Sequence, residues 1–142
     1  MNLSDQVTSL ALSKKLKELG VKAESLYAYY GNAGQWNDVI VDMSMYSDVD
    51  DEFKECKLLP AYTVAELGEL LPWKLKASWK EKDETGLGGT WDTSINTKLE
   101  IEFDEGMCVV RYALLTSKKA KTEADARALM LIYLIEHSLI QL

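Results

Sequence analysis

TEADARALMLIYLIEHSLIQL, residues Thr122 to Leu142, is the segment around which the rest of the chain has to fold. Thr122 can cap a helix that has Asp125 at its third position, close to a capping box, and the acids of the first turn suit the helix dipole. From Ala128 to Ile135 every residue is apolar or tyrosine. A helix with so little polar face belongs in a core that covers it on more than one side. The apolar run is shorter than the about 20 residues that a bilayer requires.

Two strands just before this helix are predicted to form a hairpin with a definite register. Thr97–Asp104 and Met107–Leu115 flank a two-residue turn of sequence Glu-Gly, a short connection typical of hairpins. Pairing through this turn sets Glu100 opposite Arg111, because a slip by one residue would mix acidic and apolar side chains on one face. The face that we expect the C-terminal helix to cover carries Leu99, Ile101, Phe103, Cys108, Val110 and Tyr112.

The first part of the chain predicts a helix followed by a second hairpin. Apolar residues recur at helical spacing over about Ser9–Leu19, which indicates an amphipathic helix. Leu26–Tyr30 and Trp36–Met43 are rich in aromatic and β-branched residues and enclose the Gly/Asn segment 31–34. Two such runs around a Gly/Asn loop predict a hairpin.

The middle of the chain predicts one short helix and one strand between polar connections. Thr63 is expected to cap a helix that ends at Leu70 or Leu71, with Glu66 at the capping-box position. Trp73–Lys82 alternates apolar residues with lysines, which indicates a half-buried strand with a solvated face. We expect irregular structure in the acidic segment Ser47–Glu55, the polar segment Asp83–Thr97 and the basic segment Ser117–Lys121.

These elements predict one α+β domain over residues 1–142. Hairpins require antiparallel pairing, and no βαβ unit is evident in the order of elements. We expect an antiparallel sheet of about five strands with three helices, the C-terminal helix packed on the sheet. A chain of 142 residues has the size of a typical single domain.

The net charge of −7 is concentrated in one segment. Between Asp38 and Glu55 the chain has seven acids against Lys54 alone, a net charge of −6, so the remainder is close to neutral at −1. Phosphate contacts need clustered Lys or Arg, and direct nucleic-acid binding is therefore disfavoured. The two cysteines, Cys56 and Cys108, belong to no paired motif, and we expect them to be reduced, in a cytoplasmic protein.

The sequence offers no catalytic constellation, and we expect no catalytic residue, cofactor or metal. His137 falls in the last turn of the C-terminal helix and has no sequence partner that would orient it as a base. Glu100 and Glu102 lie about 7 Å apart by strand geometry, a spacing compatible with glycoside hydrolysis and equally with a solvated sheet face. The Gly86–Gly89 segment lacks the remainder of a phosphate-binding motif.

Three segments together resemble a family of small, uncharacterised proteins that is common in tailed phages and in the prophage regions of bacteria. They are SLALSKKLKELGVKAESLYAYY (Ser9–Tyr30), PAYTVAELGELLPW (Pro60–Trp73) and EADARALMLIYLIEHSLI (Glu123–Ile140). The resemblance implies a phage or prophage origin and a place in the bacterial host cytoplasm. It implies no catalytic or binding residues.

These observations favour a non-enzymatic accessory protein that acts by binding a host or phage protein. The partner would present a basic surface to an interaction patch formed by Trp36, Asp48, Asp50, Asp51, Glu52 and Trp91. An acidic mimic of nucleic acid is a narrower form of the same hypothesis. The alternative is a binder of, or enzyme on, a nucleotide or sugar, with its pocket near the Gly86–Gly89 segment. A third hypothesis is self-association through an exposed strand such as Trp73–Lys82.

Overall fold

The computed structural model of the chain describes residues 2–32, 35–82 and 90–141, with residues 79–82 and 90–93 described by their backbone alone. The α-helices of this part are α1 (Leu10–Glu18), α2 (Asp51–Lys57), α3 (Val64–Leu70) and α4 (Glu123–Glu136). The strands are β1 (Tyr27–Asn32), β2 (Gln35–Asp42), β3 (Leu58–Pro60), β4 (Lys74–Lys82), β5 (Thr90–Asp104), β6 (Met107–Tyr112) and β7 (Thr116–Ala120).

The strands form two antiparallel sheets, in the orders β2-β1-β3 and β4-β5-β6-β7. The expected α+β class and the packing of the C-terminal helix on a sheet are confirmed. The expectation of one sheet of about five strands with three helices is wrong, because the described residues form seven strands in two sheets and four α-helices. The elements that the sequence reading missed are short, which leaves little room for a hydrophobic period to show.

Helix α4 is the centre of the main core, as its apolar sequence predicts. Met130, Leu131 and Leu134 are fully buried in a cluster that also contains Leu99 and Tyr112 of the larger sheet. The register of β5 with β6 is the predicted one, with Glu100 opposite Arg111, so the expected apolar face lies under the helix. Phe103 shares that face near the turn but is 70% exposed.

The Asp125 side chain joins the N-terminus of α4 to α1, whereas the sequence predicts only a role for it in capping α4. The Thr122 hydroxyl accepts a hydrogen bond from the Asp125 backbone N–H at 3.2 Å, as a capping residue should. The Asp125 carboxylate does not return to Thr122. It accepts instead from the backbone N–H of Ser9, the cap of α1, at 2.8 Å, and so joins the starts of the two helices.

The capping box of α3 is confirmed in both directions. Thr63 Oγ1 accepts from the Glu66 N–H at 3.2 Å, and a Glu66 carboxylate oxygen accepts from the Thr63 N–H at 2.8 Å. The same carboxylate also accepts from the Ser25 hydroxyl and from the Leu26 N–H, each at 2.9 Å. Glu66 therefore ties the start of α3 to the chain that enters β1.

Three segments expected to be irregular contain regular structure. Within Ser47–Glu55 the chain begins α2 at Asp51, and β5 already runs from Thr90 inside the expected polar connection. Residues 116–120 form strand β7 against β6 instead of a basic loop. Trp73 also differs from expectation: it precedes β4 and is 67% exposed, whereas Leu75 on the same alternation is buried.

The smaller sheet contacts both α1 and α2. One face packs on a second core of Val7, Tyr29, Leu59 and Ala61, against which Leu10 of α1 also packs. Tyr30, the next residue along β1, belongs to the opposite face, since side chains alternate along a strand. That face is the side on which α2 lies, because Tyr30 stacks with Tyr46 and Tyr46 with Phe53 of α2.

Candidate functional site

Helix α2 carries the predicted acidic segment and exposes it in an ordered form. The Asp50 carboxylate accepts a hydrogen bond from the Phe53 N–H at 2.8 Å and caps the helix. Asp51 and Glu52 occupy the first turn, and Lys54 and Lys57 the last, an arrangement that suits the helix dipole at both ends. The same residues that give the segment its charge therefore also make it helical.

All seven acids between Asp38 and Glu55 are exposed. Within the described residues the ion pairs are Arg111–Glu102 and Arg127–Glu123, and neither involves an acid of this segment. At Asp42 a hydrogen bond from the Ser44 backbone N–H holds the carboxyl pKa below its usual value. The seven exposed acids are Asp38, Asp42, Asp48, Asp50, Asp51, Glu52 and Glu55.

A row of three aromatic rings runs from β1 to α2. The ring centroids of Tyr30 and Tyr46 are 6.2 Å apart, and those of Tyr46 and Phe53 are 6.1 Å apart, with interplanar angles of 23° and 24°. Tyr30 is 36% exposed, and neighbouring Met45 is 75% exposed. We call the five carboxylates of residues 48–55 together with this aromatic row the acidic face. Asp38 and Asp42 belong to the other face of the smaller sheet, because Asp42 pairs with Tyr27 of the second core and Asp38 lies near the Tyr29 hydroxyl.

Trp36 of the predicted patch is half-buried in the second core. Gly31 permits this position, because a Cβ on that residue would lie 2.8 Å from the Cα of Trp36. The Lys17 ammonium sits 5.1 Å from the centre of the Trp36 ring and donates to the Glu55 backbone oxygen at 2.8 Å. Lys17 thus links Trp36 to α2 and covers part of its ring.

The structure brings together Asp48, Asp50, Asp51 and Glu52. Trp36 lies on the other face of the smaller sheet and is linked to α2 through Lys17. Trp91 belongs to the other sheet, where it pairs with Glu81 in the β4–β5 ladder and does not lie in a polar loop as expected. The Trp91 side chain falls outside the described part. Sequence reasoning did not include Tyr30, Tyr46 and Phe53 in the patch. Tyr46 directly precedes the acidic segment and Phe53 lies within it, whereas Tyr30 is distant from it in sequence.

The other candidate groups remain apart from one another. His137 is exposed at the end of α4 with its ring 4.2 Å from that of Tyr133. Cys56 is exposed on α2, whereas Cys108 is buried, and burial raises the pKa of its thiol. Glu102 is paired with Arg111 on the exposed side of the larger sheet.

In the described part of the chain, no group of three or more Cys, His, Asp or Glu side chains is placed to hold a metal ion. Among the described helices, none combines the length and the apolar character needed to cross a bilayer. The Gly86–Gly89 segment lies outside the described residues. At the base of the β4–β5 hairpin there is an open, shallow depression lined by Lys76, Ala77, Ser78, Ser94, Ile95 and Asn96.

Comparisons of the chain with protein-family models, with curated proteins and with solved structures found no match.

Proposed function

We propose that this protein acts by binding another protein, and that the acidic face is the binding surface. The observation that carries the proposal is the exposure of the five acids of residues 48–55 beside a stacked aromatic row. The phage-type accessory role in a bacterial host remains part of this proposal and rests on the resemblance of the three sequence segments.

The chemistry of the face specifies the kind of partner. Concentrated carboxylates without ion-pair partners in the described part favour a surface that supplies Lys or Arg, since complementary charge steers association and fixes register. The aromatic row and Met45 supply the apolar contact that charged groups alone do not, and aromatic and methionine side chains are enriched at interfaces. Arginine fits both features, because its guanidinium pairs with carboxylates and stacks on aromatic rings.

The test is capture of the partner from bacterial lysate by two variants of matched charge. In the first variant Asp48, Glu52 and Glu55 are changed to lysine, which leaves the capping residue Asp50 intact. In the second, three exposed acids elsewhere, Glu18, Glu69 and Glu136, are changed to lysine, so both variants have the same net charge.

We expect the first variant to lose the captured protein by about tenfold or more, equivalent to about 1.4 kcal/mol of binding free energy. The second variant should retain it. Raising the salt concentration should weaken capture by the wild type, because salt screens exposed charges. Equal capture by both variants would mean that the acidic face is not the binding surface.

The small-molecule alternative predicts a different result from the same preparation. A nucleotide or sugar bound near the Gly86–Gly89 segment would appear in native mass spectrometry as a retained mass on the purified protein. Charge reversal on α2 would leave that mass unchanged, which separates the two functions.

A further inference from the structure

The longest strand pairs with a different neighbour along each half, with β4 over residues 90–98 and with β6 over residues 99–104. Strands β4 and β5 pair continuously from Lys74 opposite Lys98 to Lys82 opposite Thr90. Strand β6 accompanies β5 only from Leu99 to Asp104. Residues 75–82 and 90–97 therefore form a two-stranded extension beyond the rest of the sheet, which we call the ribbon. Among the described strands, none pairs with residues 90–97 on the side of β5 away from β4.

The backbone groups on this free edge can be identified from one hydrogen bond. The Leu99 N–H donates to the Trp73 carbonyl oxygen at 2.9 Å, so Leu99 points its backbone groups towards β4. Because backbone groups alternate in direction along an antiparallel strand, the odd-numbered residues of β5 bond to β4. The N–H and C=O groups of Asp92, Ser94 and Asn96 consequently point to the free edge.

The two outer edges of the ribbon differ in how they are protected. Strand β4 carries Lys74, Lys76, Lys80 and Lys82, and lysines on an edge strand discourage pairing with other chains. The β5 half reads TWDTSINT and contains no Lys, Pro or Gly. Its residues are mostly β-formers, and Asp92 is its one charge. The β5 edge is therefore the edge open to pairing.

We propose that this free edge of β5 pairs with the same edge of a second copy of the chain. A two-fold axis perpendicular to the sheet would set the two β5 strands antiparallel and make the contact identical for both copies. The result is a four-stranded ribbon of order β4-β5-β5-β4. This proposal is independent of the acidic face and of the function proposed for it.

The register of such a pair is restricted by the backbone. Outward-pointing residues must stand opposite outward-pointing residues for hydrogen bonds to form, so the two-fold axis passes through a residue and not between two. An axis at Asp92 would set like charges opposite each other, which is destabilising. Among the remaining positions, an axis through Thr93 or Ser94 lies nearest the centre of residues 90–97 and pairs the longest stretch of the two free edges.

A second copy would also account for two features at the ribbon or next to it. A two-stranded hairpin is marginally stable by itself, whereas additional strands stabilise it. The turn after β6, which the register places where β6 leaves β5, contains Leu114 at φ 68° and 92% exposed. An exposed leucine in the left-handed region is unusual on both counts, and a strand added to the free edge would lie beside it.

Proline substitution at two directly paired serines tests the proposal. Ser78 of β4 and Ser94 of β5 are opposite each other and both exposed, and each directs its backbone to an outer edge. Proline lacks the N–H and is tolerated on edge strands, so Ser94→Pro blocks the β5 edge and Ser78→Pro blocks the β4 edge. Sedimentation velocity over a range of concentrations measures the outcome.

We expect the wild type and Ser78→Pro to dimerise and Ser94→Pro to be monomeric with an unchanged circular dichroism spectrum. A wild type that stays monomeric at every concentration, or a Ser94→Pro variant that dimerises like the wild type, would overturn the proposal. Amide hydrogen exchange of the wild type gives a readout without any substitution. Ser94 and Asn96 should become protected as concentration rises while Lys76 and Ser78 exchange quickly; rapid exchange at all four positions would also overturn it.

Discussion

Three buried tyrosine hydroxyls hold distant parts of the chain together. Tyr29 donates to the Thr8 carbonyl oxygen at 2.8 Å, Tyr62 to that of Ala23 at 2.8 Å and Tyr112 to that of Pro72 at 2.5 Å. Burial raises the pKa of each hydroxyl from 10.0 to about 12. Each tyrosine is therefore stable in the fold only as the neutral phenol.

This pKa shift predicts a loss of stability in alkaline solution. A group whose pKa is higher in the folded protein contributes its full stability below the unfolded pKa, near 10, and loses it as the pH rises towards about 12. We expect the free energy of unfolding to fall between these values by up to about 1.4 kcal/mol per pH unit for each tyrosine. Urea denaturation at a series of pH values measures it.

The matched variant is Tyr112→Phe, which removes one of the titrating hydroxyls and its hydrogen bond to Pro72. It should be less stable than the wild type at neutral pH and should lose stability less steeply above pH 10. A slope identical to that of the wild type would contradict the assignment of Tyr112 as a buried phenol.

For individual residues, the sequence predicts contacts between neighbours along the chain well and contacts between distant residues poorly. The capping roles of Thr122, Thr63 and Glu66 follow from spacing along the chain, and each is confirmed. The bonds from Asp125 to Ser9 and from Glu66 to Leu26 depend on how helices pack. No local pattern encodes that packing, so these roles became visible only in the folded chain.

Among the elements, α2 shows most clearly why the sequence prediction of irregular structure was wrong. Acidic residues suggested a solvated loop, yet an acid at the cap and acids in the first turn are the residues that start a helix. The segment is also only seven residues long, and a short helix gains most of its stability from packing. Contacts with β1 and β3 supply that packing, and sequence alone does not show them.

Helix α2 should therefore depend on its capping carboxylate. Asp50→Ala removes the bond to the Phe53 N–H, and losing a helix cap typically costs about 1 kcal/mol. Hydrogen exchange of the α2 amides should accelerate, since the helix opens locally before the rest of the fold. Asp48→Ala is the control, because Asp48 is an exposed acid that precedes the cap. Equal acceleration in both variants would show that Asp50 has no special role.

Two strands were also predicted to be irregular, wholly or in part, because their polar composition gives no clear alternation of apolar and polar residues. Thr90–Asp104 and Thr116–Ala120 contain glutamates, lysines, serines and threonines, yet both are strands. Each has one face towards solvent or an edge, so polar residues cost nothing there. The alternation was recognised at Leu99–Phe103, where the other face is apolar enough to show it.

At the scale of the whole molecule, the sequence predicts where the charge is concentrated but not which residues surround the acids in the fold. The sequence places a net charge of −6 between Asp38 and Glu55, and the fold keeps these acids exposed on β2, α2 and the turn between them. The aromatic row joins Tyr30 of β1 to residues 46 and 53, from which it is distant in sequence. Trp91, expected in the same patch, belongs to a different sheet.

The account of the molecule as a protein-binding module makes the acidic face its central claim. Site-specific photo-crosslinking in bacterial cells tests that claim with the loss of a single carboxylate in each variant. A photoreactive amino acid would replace Glu52 on α2 in one variant and Glu69 on α3 in another; both positions are exposed helical glutamates. We expect a discrete crosslinked protein from position 52 and none from position 69. A crosslink from position 69 alone, or none from position 52, would contradict the account.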